Sequence, residues 1–214
     1  MKLGILGTGM VGIALGTKLV QLGHEVKMGS RSANNENAVK WAKENGANAS
    51  FGTFADAAAF GEIIFNCTAG TASLGALTSA GASNLKGKVL VDVANPLDFS
   101  KGMPPTLSVC NTDSLAEQIQ RAFPNVKVVK ALNTMYCKVM VEPSIVPGEH
   151  DAFVCGNDAQ AKAKVVEVLK AFGWKSIIDL GDITAARGTE MLLPIWLRLW
   201  SLNQNHPFNF RVAR

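Results

Sequence analysis

The sequence holds no Cys-x-x-Cys pair: Cys67, Cys110, Cys137 and Cys155 stand apart. Its three histidines, His24, His150 and His206, never fall into His-Glu-x-x-His spacing. Zinc ligation needs such clustering, so no metal site is expected. Dispersed cysteines without a secretory context read as reduced thiols of a cytoplasmic protein. Charged residues are scarce, at 18% against about 25% in ordinary soluble domains. The net charge is only +4, and the basic residues form no run. A nucleic-acid partner is therefore not expected. Long apolar runs are missing too. Met191–Trp200 is too short to cross a bilayer and contains Pro194 and Arg198, so no membrane partner is expected. There is one tyrosine, Tyr136, and no Ser-Tyr-x-x-x-Lys pattern. No acid–base machinery is evident, and no catalytic side chain is assigned.

What is there is apolar. Hydrophobic residues make up 48% of 214 positions. At about 150 residues per domain this length is one large domain or one with an appendage. So much apolar surface on so few charges predicts a subunit interface, most simply a homodimer. The run at Met191–Trp200 is its expected seam, because a helix apolar on every side is normally buried.

Short apolar runs alternate with helical patterns. Strands are predicted at 2–6, 25–28, 49–51, 62–67, 88–93, 126–132, 152–155 and 176–180. Helices are predicted at 10–22, 35–45, 53–60, 73–80, 114–123 and 159–172, with one long apolar helix over 183–202, bent at Pro194. Residues 98–110 read as loop. Ser114 and Glu117 have capping-box spacing. This alternation predicts an α/β fold, a Rossmann doubly wound parallel sheet extended by C-terminal strands and an apolar C-terminal helix. Residues 1–180 are expected to form the nucleotide-binding domain with its extended sheet. Residues 181–214 are expected to form a helical extension that covers the cleft or seals a dimer.

The chemistry lies in Gly7-Thr8-Gly9-Met10-Val11-Gly12. The pattern Gly-x-Gly-x-x-Gly follows a predicted strand and opens a predicted helix, the context a dinucleotide site requires. Gly7 permits the turn, Gly9 lets backbone approach a pyrophosphate, and Gly12 lets helix and strand pack closely. The helix N-terminus offers free N–H groups to the anion. About 20 residues on, an NAD site would carry an acid. Here the chain reads Lys27-Met28-Gly29-Ser30-Arg31. Ser30 and Arg31 suit a 2′-phosphate, so NADP(H) is the expected cofactor. Thr68-Ala69, Asn95 and Asn133 follow later strands, and ligands of parallel sheets bind beyond the strands' carboxyl ends. The two asparagines suit a carboxamide or a substrate carbonyl. Cys67, beside this loop, reads as a small buried residue rather than a redox thiol.

The sequence resembles the NADPH-dependent coenzyme F-420 reductases and their bacterial relatives. The matching stretches are GILGTGMVG at Gly4–Gly12, GHEVKMGSR at Gly23–Arg31, DSLAEQI at Asp113–Ile119, VVKALNTM at Val128–Met135, FVCGNDAQAK at Phe153–Lys162 and DLGDITAARGTE at Asp179–Glu190. The oxidoreductase domain of six-transmembrane metalloreductases shares the pattern. The resemblance implies NADPH held by Thr8, Met10 and Val11, with Ser30 and Arg31 at its 2′-phosphate. It implies a nicotinamide site near Thr68, Ala69, Asn95 and Asn133, and hydride exchange with a flavin or deazaflavin as co-substrate. Asn133 stands where deazaflavin-using members carry histidine. Two other functions compete with this small-molecule redox reaction. One is a non-enzymatic NADP(H)-binding sensor. The other is a small carbonyl or imine reductase, which usually adds a large helical domain.

Overall fold

A computed structural model describes residues 1–213. In chain order its elements are β1 Lys2–Leu6, α1 Met10–Gln21, β2 Glu25–Ser30, α2 Glu36–Asn45, β3 Ala49–Thr53, α3 Phe54–Phe60, β4 Ile63–Asn66, α4 Gly70–Ala80, α5 Ala82–Leu85 and β5 Val89–Asp92. There follow β6 Leu97–Asp98, β7 Thr106–Leu107, α6 Leu115–Ala122, β8 Lys127–Ala131, α7 Cys137–Val141, β9 Asp151–Gly156, α8 Ala159–Ala171, β10 Ser176–Asp179, α9 Ala186–Met191 and α10 Leu193–Leu202.

Eight strands form one sheet in the order β10-β9-β8-β5-β4-β1-β2-β3. From β3 through β8 every pairing is parallel. The chain winds outward first through β2 and β3, then through β4, β5 and β8. The order therefore reverses between β1 and β4, the place where open parallel sheets bind their ligands. The added strands depart from the expected parallel arrangement. β9 runs antiparallel to β8, with Lys130 opposite Cys155, and β10 runs parallel to β9. The cause is the connection from β8 to β9. It carries only α7 and a 3-10 turn at Pro143–Ile145, too little to cover the sheet and return in the same direction.

Alternate strand residues fill two cores. Ile63, Phe65, Val89, Val91 and Val129 meet Leu15, Leu19, Trp41 and Leu169 on one face. Ile64, Leu90 and Val128 meet Ala57, Leu77, Leu85 and Ile119 on the other. Local chemistry places the helix ends. Asn35 accepts from Ala38 N–H at 3.2 Å to start α2. Thr53 and Asp56 form a reciprocal capping box for α3. Asp158 accepts from Ala161 N–H at 2.8 Å to start α8.

Several elements differ from expectation. α4 begins at Gly70 rather than 73, because the loop from β4 turns straight into it. The loop over 98–110 contains part of a hairpin, β6 paired with β7. The single helix expected over 183–202 is three pieces: a 3-10 turn at Ile183–Ala185, α9, and α10 with Pro194 in its first turn. Proline lacks an N–H and tolerates that first turn best. α10 is also less buried than expected. Leu193 and Trp196 are buried, while Met191, Ile195, Leu199 and Leu202 lie exposed. Ile183 and Ala186 belong to the second core, so the chain after residue 180 starts inside the domain. Among the described residues no helix is long and apolar enough to cross a membrane.

Candidate functional site

The fingerprint turn sits at the reversal point. Gly7 N–H donates to Gly29 O at 2.9 Å, which ties the turn to the end of β2. Gly7 has φ +119°, and a Cβ there would lie 2.7 Å from Cys67 O. A Cβ on Gly12 would lie 2.1 Å from Gly7 O. Neither position accepts a larger residue. Gly9 is the opposite case: a Cβ there would meet nothing within 4 Å. Gly9 also precedes α1 without a side-chain cap, and α1 has no acid in its first turn. The first N–H groups and the positive dipole end of α1 therefore remain available to an anion. Met10 is 73% exposed beside them, and Thr8 and Val11 are partly buried.

Ser30 and Arg31 follow one strand over, in the register that sets Leu6 beside Gly29. Arg31 is exposed. Among the described residues its guanidinium has neither an ion pair nor a hydrogen bond. Ser30 is buried, and its hydroxyl donates to the Ser32 carbonyl. Of the two, only Arg31 has donors to spare.

The carboxyl ends of β4, β5 and β8 carry a buried polar row absent from the sequence-based reading. Asn66, Asp92 and Lys130 share one register across three adjacent strands. Asn66 Nδ2 donates to Asp92 Oδ1 at 2.8 Å, and Thr68 Oγ1 donates to Asn66 Oδ1 at 2.7 Å. Lys130 Nζ lies 2.8 Å from both Asp92 Oδ2 and Glu190 Oε1, and it also donates to Ala94 O. The Lys130 and Asp92 side chains are fully buried, and Glu190 is nearly so. Glu190 in turn accepts from Leu115 N–H at 2.8 Å and Ala116 N–H at 3.2 Å, at the start of α6. Burial opposes the Lys130 charge most strongly, but Asp92 and Glu190 outweigh it and raise its pKa above the ordinary lysine value. Burial raises the Glu190 pKa, against the pull of Lys130. The signal was present in the sequence: each of IIFN, VLVD and KVVKA is a largely apolar strand with a polar residue at or just before its carboxyl end.

Asn133 and Asn95 meet above this row. Asn133 Nδ2 donates to Asn95 Oδ1 at 3.0 Å and to Thr189 O at 3.1 Å. Asn95 Nδ2 donates to Asn133 O at 2.9 Å. Both Asn133 amide protons are therefore used within the protein. The pair keeps one acceptor, Asn133 Oδ1, and one donor, the second Asn95 N–H, for anything outside. Gly70, at the start of α4, fits against Asn95, where a Cβ would lie 2.0 Å from its carbonyl oxygen. Ala69 is exposed at the same loop. Burial first, then the Asp92 charge, pushes the Cys67 thiol far up, which makes it a poor nucleophile. All four cysteines are free.

The C-terminal segment adds an aromatic wall. Tyr136 contacts Trp200 at 4.7 Å between centroids, Trp200 stacks on Trp196 at 5.2 Å, and Trp196 on Phe208 at 5.6 Å. The Arg187–Glu117 pair fastens α9 to α6. Glu117 also accepts from the Ser114 hydroxyl, whose oxygen caps Glu117 N–H at 3.2 Å. The glutamate of this cap thus reaches the Ser114 side chain and Arg187. An open cavity of about 620 Å³ lies elsewhere, between His150, Trp174, Lys175 and Arg211, and includes none of the expected site residues.

Residues 2–96 match the family model described as NADP oxidoreductase, coenzyme F420-dependent. The chain is 31% identical to an F420-dependent NADP reductase of Methanocaldococcus jannaschii, over 93% of this chain and 92% of that protein. It is also 31% identical to the metalloreductase STEAP3 of Rattus norvegicus over 91% of this chain, but spans only 38% of that protein. A crystal structure of a candidate F420-dependent NADP-reductase from Arthrobacter sp. FB24 superimposes with a TM-score of 0.95 at 53% identity, covering both chains fully. A reductive aminase from Aspergillus terreus shares the fold alone: its TM-score is 0.67 at 20% identity, over 95% of this chain and 62% of that one.

Proposed function

Because the chain belongs to the coenzyme F420-dependent NADP oxidoreductase family, we propose that it transfers a hydride between NADP(H) and a deazaflavin. One observation carries the cofactor half. The uncapped start of α1, open above Gly9, follows β1, and Arg31, unpartnered among the described residues, follows the adjacent strand β2 at the same end of the sheet. The donor set fits the group. Backbone N–H groups of Met10 and Val11, with Thr8, receive the pyrophosphate, and Gly7, Gly9 and Gly12 supply the space. Arg31 receives the 2′-phosphate, and Ser30 shapes the turn that presents it. Thr68, Ala69, Asn95 and Asn133 surround the nicotinamide. The Asn133 acceptor and the Asn95 donor match an N–H and the carbonyl oxygen of a carboxamide.

NADPH, when bound, supplies the hydride. The protein's task is then to hold two rings face to face, so proximity and orientation carry the reaction without an acid or base. The second ring fits the side where Tyr136 and α10 form an apolar wall. The chain from 181 onward covers this side of the cleft. Its exposed residues Ile195, Leu199 and Leu202 recur along α10 at helical spacing, with Met191 exposed at the end of α9, which supports a homodimer seam. The protein works in the cytoplasm, where NADP(H) and reduced thiols coexist. The test is NADPH oxidation with deazaflavin, free flavin and a ferric chelate supplied separately. Turnover with deazaflavin is expected. Tight NADPH binding without turnover on any acceptor would instead identify a sensor.

A further inference from the structure

Lys130 is the hub of the buried polar row, and its three contacts fall in an instructive pattern. Its ammonium donates to Asp92, to Glu190 and to the Ala94 carbonyl. Ala94 is the residue before Asn95. Glu190 is the residue after Thr189, whose carbonyl accepts from Asn133. Lys130 itself lies three residues before Asn133 on the strand that delivers it. The backbone at each support of the asparagine pair is thus one residue from a contact of the same ammonium.

Building on the proposed nicotinamide site, we propose that Lys130 and Glu190 are positioning residues that lock the donor–acceptor polarity of the Asn95–Asn133 pair. A side-chain amide can present either end, and the two ends differ only in hydrogen bonding. Asn133 keeps its acceptor outward only while the Thr189 carbonyl holds one of its N–H groups. Thr189 lies on α9, a six-residue helix, too short to keep its own place. Besides Ala186 in the core, two charged side chains fasten it. Arg187 pairs with Glu117 near the protein's surface. Glu190 reaches into the core and bridges Lys130 to the first N–H groups of α6. A helix N-terminus that would attract an external anion is here filled by the protein's own carboxylate. If Glu190 loses its charge or its reach, α9 loosens, Thr189 O drifts, and the Asn133 amide is free to turn over. Its N–H would then meet the donor half of the carboxamide. A structural ion cluster would stabilise the fold alone. This one ends on the Ala94 carbonyl, next to Asn95, and on Glu190, next in the chain to the Thr189 carbonyl that holds Asn133.

The test compares two ligands, NADP and adenosine 2′,5′-bisphosphate, which lacks the nicotinamide half. Dissociation constants are measured by calorimetry for wild type, Glu190→Gln and Glu190→Asp. The second variant keeps the charge while shortening the reach, and provides the test if the first does not fold. Either variant should weaken NADP about tenfold, the scale of two misaligned hydrogen bonds. Adenosine 2′,5′-bisphosphate should stay within about twofold, since its contacts lie across the sheet at α1 and β2. Equal losses for both ligands, or no loss for either, would overturn the proposal. A wild type that binds adenosine 2′,5′-bisphosphate but gains nothing from the nicotinamide half would overturn the nicotinamide site itself, a separately readable failure.

Discussion

Arg31→Ala isolates the cofactor reading from the fold. Among the described residues the side chain is exposed and makes no ion pair or hydrogen bond, so its loss should leave stability within about 0.5 kcal/mol. All of the effect should fall on the ligand. A charge-assisted hydrogen bond to a phosphate contributes about 1.5–3 kcal/mol, or about 10- to 100-fold in affinity. Solvent exposure places Arg31 toward the lower end, because salt screens an exposed pair. The expected result is therefore about a tenfold rise in the NADPH Michaelis constant near physiological ionic strength, and more in dilute buffer. The NADH constant should barely move. Arg31→Lys should fall between, since a lysine gives the charge without the planar fork. Ser30→Ala should do less than either, because that hydroxyl already donates to Ser32 O. Steady-state kinetics with both nucleotides at several salt concentrations provides the assay. Equal factors for NADPH and NADH would refute the reasoning, as would an unchanged salt dependence.

Three further outcomes are expected. Gly12→Ala should abolish nucleotide binding and lower the melting temperature, because its Cβ would lie 2.1 Å from the Gly7 carbonyl oxygen, a backbone atom with nowhere to go; a fully active variant would contradict the packing argument. Ile195→Glu should shift a dimer toward monomer in light scattering, since Ile195 is 53% exposed on the apolar side of α10; an unchanged mass would remove that seam. Asp113 is held down to about 2, chiefly by its hydrogen bonds from Arg121. A depressed carboxylate stabilises the fold above its ordinary 3.8 and loses that contribution as pH falls toward 2. The stability gap between wild type and Asp113→Asn should accordingly narrow over that interval in chemical denaturation.

Much of this molecule is legible in its sequence because its signals are local. Gly7, Gly9 and Gly12 mark the turn by spacing, Gly46 ends α2, and β1, β4, β5 and β8 are largely apolar runs between turns. Reading fails where the cause is long-range. The direction of β9 depends on the short helix in its connection from β8, five residues of α7 against thirteen of α8 in the parallel connection that follows, and no periodicity reports that. The break before α10 comes from one proline in a run that otherwise reads as continuous helix. At the site, Asn95 and Asn133 are visible as residues after strands. Their mutual bonding is set by the Thr189 carbonyl, 56 residues away in sequence. Asn66, Asp92 and Lys130 look like three unrelated strand ends until the register sets them in one row. Glu190 joins them from a helix whose apolar neighbours draw attention elsewhere.

The central claim is direct hydride passage between two stacked rings, and isotope tracing reaches it most directly. NADPH carrying deuterium at nicotinamide C4 is mixed with the protein and oxidised deazaflavin in ordinary water, and the reduced deazaflavin is recovered for mass spectrometry. Preparations labelled on either face of C4 cover both stereochemical outcomes. The account predicts that one of them delivers its deuterium intact to the deazaflavin ring. Reduced deazaflavin carrying only solvent hydrogen from both preparations, or no reduction at all, would contradict it.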